Sequence, residues 1–130
     1  MILTLDFASD IPIYQQIRNA IVKAIADGTF LDGEKLPTVR ALAAEAGINT
    51  MTVNKAYQLL KQEGYIVTDR RNGAMVSSRG ISADLRKEIS REKLRRELEL
   101  IAAEAKLGGV TETELAELLK EVYNRSAGGK

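Results

Sequence analysis

The sequence predicts a mainly α-helical fold with one small β hairpin: a winged helix-turn-helix followed by a two-helix hairpin. Three observations carry this. Two short segments with apolar stripes are separated by Gly47-Ile48-Asn49, the tight glycine-containing turn of a helix-turn-helix. A β-branched run with an Asn-Gly turn follows at once and supplies a two-stranded wing. Beyond Gly80 the chain turns into a long charged segment and a second amphipathic one. The expected division is a winged-helix domain at 1–78 and a helical dimerisation hairpin at 79–130.

The first helix is expected over 11–27. Ile13, Ile17, Ala20, Ile21, Ala24 and Ile25 make one apolar face, Asp10 is the expected N-cap, and Pro12 suits the first turn. Gly28 ends it, Asp32-Gly33 turns the chain, and Leu36 before Pro37 is extended. Thr38 caps a second helix at 39–46, with Leu42, Ala43 and Ala46 inside and Gly47 as its C-terminal cap. Asn49 or Thr50 caps a third helix running from about 50 to 63. Val53, Ala56, Tyr57 and Leu60 form its inner face, while Thr50, Met51, Asn54, Lys55, Gln58 and Lys61 point outward. Strands are expected at 65–68 and 74–77 around Asp69-Arg70-Arg71-Asn72-Gly73, with Thr4-Leu5-Asp6-Phe7 as a further strand at the sheet edge.

Residues 77–80 read as a linker. The next helix, 82–106, has a narrow apolar seam that includes Leu85, Ile89, Leu94 and Leu98 between charged flanks. Leu107-Gly108-Gly109-Val110 breaks it, and Thr111 with Glu114 forms a capping box ahead of Leu115, Leu118, Leu119, Val122 and Tyr123. A one-sided hairpin of this size does not stand alone. Its seams exceed what the flank of a small domain covers, so the expected partner is a second copy of the chain.

Composition removes whole classes of chemistry. The 130 residues contain no cysteine and no histidine, so disulfides, thiolate nucleophiles, imidazole ligands and histidine-based acid–base catalysis are out of reach. Neither a cofactor nor a metal is expected. Glu112, Glu114 and Glu117 gather at a helix start, where acids suit the dipole, and no catalytic residue is assigned. No run approaches membrane-spanning length and the N-terminus lacks signal-peptide character, so no membrane partner is expected and the expected location is cytoplasmic.

The net charge of +1 conceals an uneven distribution. Residues 1–34 carry −3, residues 35–79 carry +4, and residues 80–130 are balanced. A surface that meets phosphate needs such a local excess.

The run Leu36-Pro37-Thr38-x-Arg40-x-Leu42-Ala43, then Gly47-Ile48-Asn49, then Thr52-Val53-x-Lys55-Ala56-Tyr57-x-x-Leu60-x-x-Glu63-Gly64-Tyr65-Ile66 resembles the DNA-binding domain of GntR-type bacterial transcription regulators. The wing Arg70-Arg71-Asn72-Gly73-Ala74-Met75-Val76 is similar to that family's wing, and the short two-helix tail resembles its YtrA-like subfamily. The resemblance covers about Ile11 to Val76. The expected function is that of a sequence-specific repressor that binds double-stranded DNA as a homodimer, because two copies paired through the seams double the readout of one recognition helix and require a pseudo-palindromic operator. The resemblance implies that Arg40 contacts DNA at the groove edge. Asn49, Thr50, Met51, Thr52 and Asn54 would start a recognition helix in the major groove, and Gly73 would let the wing approach the minor groove. The chain has Thr50 and Asn54 where the family often has arginines, Arg71 in place of the first wing glycine, and Ala74-Met75 in place of Thr-Phe.

The residue chemistry agrees with this reading. Asn pairs bidentately with adenine, and Thr or Met packs on a thymine methyl. Arg40, Lys55, Arg70 and Arg71, with Asn72 and Gly73 at the wing tip, suit phosphate or groove contacts. Two alternatives stay open: Asn49 as a plain helix cap, and Met51 as a buried filler of the helical junction. A winged-helix adaptor without DNA binding is the rival function. A small-molecule effector, if one acts, would lodge at the dimer junction near the linker.

Overall fold

The structure is a computed structural model that describes residues 3–71, 73–77 and 83–127. The expectations for Asn72, for residues 78–82 with the domain boundary among them, and for the side chain of Leu85 lie outside the described residues. The chain divides into two compact units, Met1–Gly80 and Ile81–Lys130.

In the first unit, α1 spans Ile13–Ala26, α2 Val39–Ala46 and α3 Thr50–Gln62. The start of α1 differs from the sequence expectation. Pro12, extended at ψ 147°, is the residue before the first turn, and no side chain caps the helix. Asp10 therefore lies two residues upstream of the cap position, too far to reach the first amides. The expected caps of α2 and α3 are present. Thr38 Oγ1 accepts from the Ala41 N–H at 3.0 Å, and Asn49 Oδ1 accepts from the Met51 N–H at 2.7 Å. Gly47 takes φ 69° and ψ 36°, and the Ile48 N–H then reaches the Ala43 carbonyl at 3.0 Å. A side chain at Gly47 would be strained in that left-handed conformation, so glycine is what lets α3 cross α2 so soon.

Strands β1 (Ile66–Asp69) and β2 (Gly73–Val76) pair antiparallel with Ile66 opposite Val76 and Asp69 opposite Gly73. Each is offset by one residue from its expected span. The edge strand expected from Thr4 to Phe7 is not formed; β2 is flanked instead by residues 33–36. Lys35 bridges Met75, the Leu36 N–H donates to the Ala74 carbonyl, and the Val76 N–H donates to the Glu34 carbonyl. With that edge taken, Asp6 is clasped by the Gln16 amide, which bonds its N–H at 2.8 Å and its carbonyl at 2.9 Å.

The core of this unit joins Ile17 and Ile21 of α1, Leu42 and Ala43 of α2, and Val53, Ala56, Tyr57 and Leu60 of α3 with Phe30, Leu36, Ile66 and Val76. A bidentate ion pair between Arg18 and Glu63, at 2.9 and 3.1 Å, fastens α1 to the end of α3. Arg18 also sits 5.8 Å from the Tyr65 ring centre.

In the second unit, α4 spans Ala83–Leu107 and α5 Glu112–Ala127. The capping box is made as expected: Glu114 Oε1 accepts from the Thr111 N–H at 2.9 Å, and Thr111 Oγ1 accepts from the Glu114 N–H at 3.2 Å. The Thr111 backbone N–H, then its side chain, hold the Glu114 carboxyl below the usual range. Past the turn the two helices do not pack along each other. Ile89, Leu94, Leu98, Leu118, Leu119 and Val122 are consequently exposed, while Leu115, near the turn, is half-buried.

Candidate nucleic-acid interface

The outer side of α3 is set by its inner one. Val53, Ala56, Tyr57 and Leu60 are held in the core, and helical geometry then turns Thr50, Met51, Asn54, Lys55 and Gln58 to solvent. Met51 is 76% exposed, which overturns the alternative of a buried junction filler. Thr52 is half-buried. Asn49 is exposed and does cap the helix; the cap uses its oxygen, so its amide N–H groups remain able to meet an acceptor. Arg40 on α2 and Arg70 and Arg71 in the wing are exposed. Gly73 opens β2 at φ 68°, a conformation the wing tip needs and a side chain would resist.

Between α3 and the wing runs a cleft of about 220 Å³, bordered by Thr38, Asn54, Gln58, Lys61, Thr68 and Gly73. Thr68 was not singled out by the sequence, because only strand register brings it opposite α3. Gln58 and Lys61 were legible as outward residues at helical spacing from Asn54, but nothing in the sequence says that the wing faces them.

Two contacts hold this surface in shape. The Tyr57 hydroxyl donates to the Pro37 carbonyl at 2.7 Å, which ties the start of α2 to the middle of α3. The Lys55 ammonium lies 4.1 Å from the centre of the Tyr14 ring, on the first turn of α1.

Burial pushes the Tyr57 phenol from 10.0 up to about 12. The folded chain thus holds this proton more tightly than the unfolded one. The stability it contributes is complete below pH 10.0 and lost as pH rises through about 12. Tyr57→Phe is expected to remove this alkaline loss and to cost about 1–2 kcal/mol at neutral pH through the unpaired Pro37 carbonyl. Denaturant titrations at neutral and strongly alkaline pH check both; an alkaline decline of the same size in the variant would refute the assignment.

No group of three or more metal-ligating residues occurs among the described residues, and no helix there is long and apolar enough to cross a membrane. Glu112, Glu114 and Glu117 are exposed along the start of α5.

Comparison with known proteins places this geometry. Residues 13–76 match the family described as bacterial regulatory proteins, gntR family. The chain is 32% identical over 128 residues to the HTH-type transcriptional repressor YtrA of Bacillus subtilis (strain 168), covering 98% of this chain and 97% of that protein. Among solved structures, the transcriptional antiterminator from Listeria monocytogenes EGD-e superposes with a TM-score of 0.82 at 28% identity, covering 100% of this chain and 96% of that one. The DNA-binding domain of AraR in complex with operator ORX1 superposes with a TM-score of 0.52 at 27% identity, over 58% of this chain and 93% of that one.

Proposed function

The chain belongs to the GntR family and is a DNA-binding transcription regulator, and from that premise we propose that it is a homodimeric repressor of a pseudo-palindromic operator. The observation that carries this is the first turn of α3. There Asn49, Thr50, Met51 and Asn54 are exposed, as are Arg40 on α2 and Arg70 and Arg71 in the wing. In this reading α3 enters the major groove. Asn54 and Thr50 read base edges, Met51 packs on a thymine methyl, and Thr52 supports the turn. Arg40 and Lys55 hold phosphates. Arg70, Arg71, Asn72 and Gly73 bring the wing to the minor groove.

Dimerisation is supported by the exposed seams of α4 and α5. Leu85, Ile89, Leu94 and Leu98 with Leu115, Leu118, Leu119 and Val122 would be covered by the same residues of a second copy. The winged-helix domain would then be 1–78 and the dimerisation hairpin 79–130. Repression follows the relative with which the chain shares its whole length, a repressor by name.

Selection of bound sites from random duplex DNA by the purified protein tests the reading. Enrichment of an inverted repeat with half-sites about one helical turn apart is expected. Recovery of no preferred sequence would instead favour the adaptor. The wing has its own test. Replacing Arg70 and Arg71 together by Ala should weaken binding to all duplexes and reduce the salt slope by about 1–2 units. A slope equal to that of the unaltered protein would remove the wing from the contact surface.

A further inference from the structure

The geometry points to Tyr14 as a positioning residue for DNA binding: its ring holds the Lys55 ammonium beside the reading turn of α3, ready for a backbone phosphate. The inference rests on the reading of Lys55 as a phosphate contact.

Lys55 follows Met51 by one helical turn and is exposed, so its ammonium belongs to the same face as the residues proposed to read bases. A surface lysine ordinarily samples many rotamers, and fixing it on a ligand costs that freedom. Here the freedom is already reduced. Tyr14 is half-buried against the core on the first turn of α1, and its ring centre lies 4.1 Å from Lys55 Nζ. The two residues are 41 positions apart and meet because α1 packs on α3.

The kind of partner matters as much as the distance. Among the described residues no carboxylate pairs with Lys55. Arg18, by contrast, is neutralised by Glu63 at 2.9 Å and serves the fold. An aromatic face attracts a cation through its quadrupole and leaves the full positive charge in place. The ammonium has three N–H donors, so those turned from the ring can still bond phosphate oxygens. A tether that orders a cation without cancelling it suits a site that must attract a polyanion.

The test is a set of equilibrium titrations of the full chain against its selected duplex over a salt series, with a thermal melt of each variant. Lys55→Met should weaken binding and reduce the salt slope by about one unit. Tyr14→Leu should weaken binding about threefold to tenfold while leaving the slope unchanged, because the cation still reaches the phosphate at greater ordering cost. Tyr14→Phe, which keeps the ring, should bind like the unaltered protein. In a Lys55→Met background, Tyr14→Leu should cause no further loss. Normal binding by Tyr14→Leu, or an equal loss with and without Lys55, would overturn the tether while leaving the phosphate contact standing. Normal binding by Lys55→Met would overturn both. Tyr14→Met, which retains bulk without an aromatic face, takes the place of the leucine variant if that one does not fold, with the same expected loss.

Discussion

Truncation after Gly80 is expected to yield a folded, monomeric winged helix that binds a palindromic operator at least about a hundredfold more weakly than the full chain. Folding should survive because the core cluster, from Ile17 to Val76, lies wholly within the retained part. Dimerisation should not, because the removed part holds the leucine seams of α4 and α5. Leu94 and Leu98 on α4 are 52% and 46% exposed, and Leu118 and Leu119 on α5 are 50% and 58% exposed. Completing the burial of several such side chains contributes up to about 1.5–3 kcal/mol each, enough together to offset the cost of association. One recognition helix reads only a few base pairs, whereas two linked copies turn the second half-site into an intramolecular encounter. Light scattering on both lengths of chain and titration of the palindrome measure the two effects. A full-length chain that stays monomeric at micromolar concentration would refute the account of the tail, as would a truncated one that binds equally well.

Leu60→Ala should destabilise the winged helix by about 3–5 kcal/mol and lower its melting temperature by roughly 12–40 °C. Leu60 is fully buried in the core cluster with Ile17, Ile21 and Ile66. Removing three of its carbons loses transfer free energy and leaves a cavity that these branched neighbours cannot collapse to fill. A small domain has about 5–10 kcal/mol in total, so much of its margin goes. The exposed Gln58→Ala, two residues away, should change stability by less than about 0.5 kcal/mol. Equal effects of the two substitutions in a thermal melt would show that α3 is not anchored through this face.

The division between these two residues was legible in the sequence, because side chains on a helix share a face at a fixed spacing whatever surrounds the helix. Chain-local chemistry was legible for the same reason. Thr38, Asn49 and the pair Thr111 and Glu114 cap their own helices through bonds spanning two or three residues. Gly47 needs only its own backbone conformation to end α2. Asp10 failed as a cap because the extended Pro12 moved the helix start by two residues, and a cap acts at one position only.

Pairing between distant segments was a different matter. Thr4-Leu5-Asp6-Phe7 and residues 33–36 are both plausible edge strands, and hydrogen-bonding potential along an extended chain does not discriminate between them. Packing decided it, by bringing Glu34, Lys35 and Leu36 against β2 and leaving Asp6 to Gln16.

The sequence by itself determined the order of the five helices and the hairpin, and the inner and outer faces of α3, since each depends on spacing within one segment. Only the tertiary structure decided that Tyr14 meets Lys55, that Tyr57 bonds Pro37, that Thr68 faces α3 across a cleft, and that α4 and α5 leave their seams uncovered. Those contacts join residues of different elements, and their geometry follows from how whole helices and strands pack, which no single stretch of chain encodes.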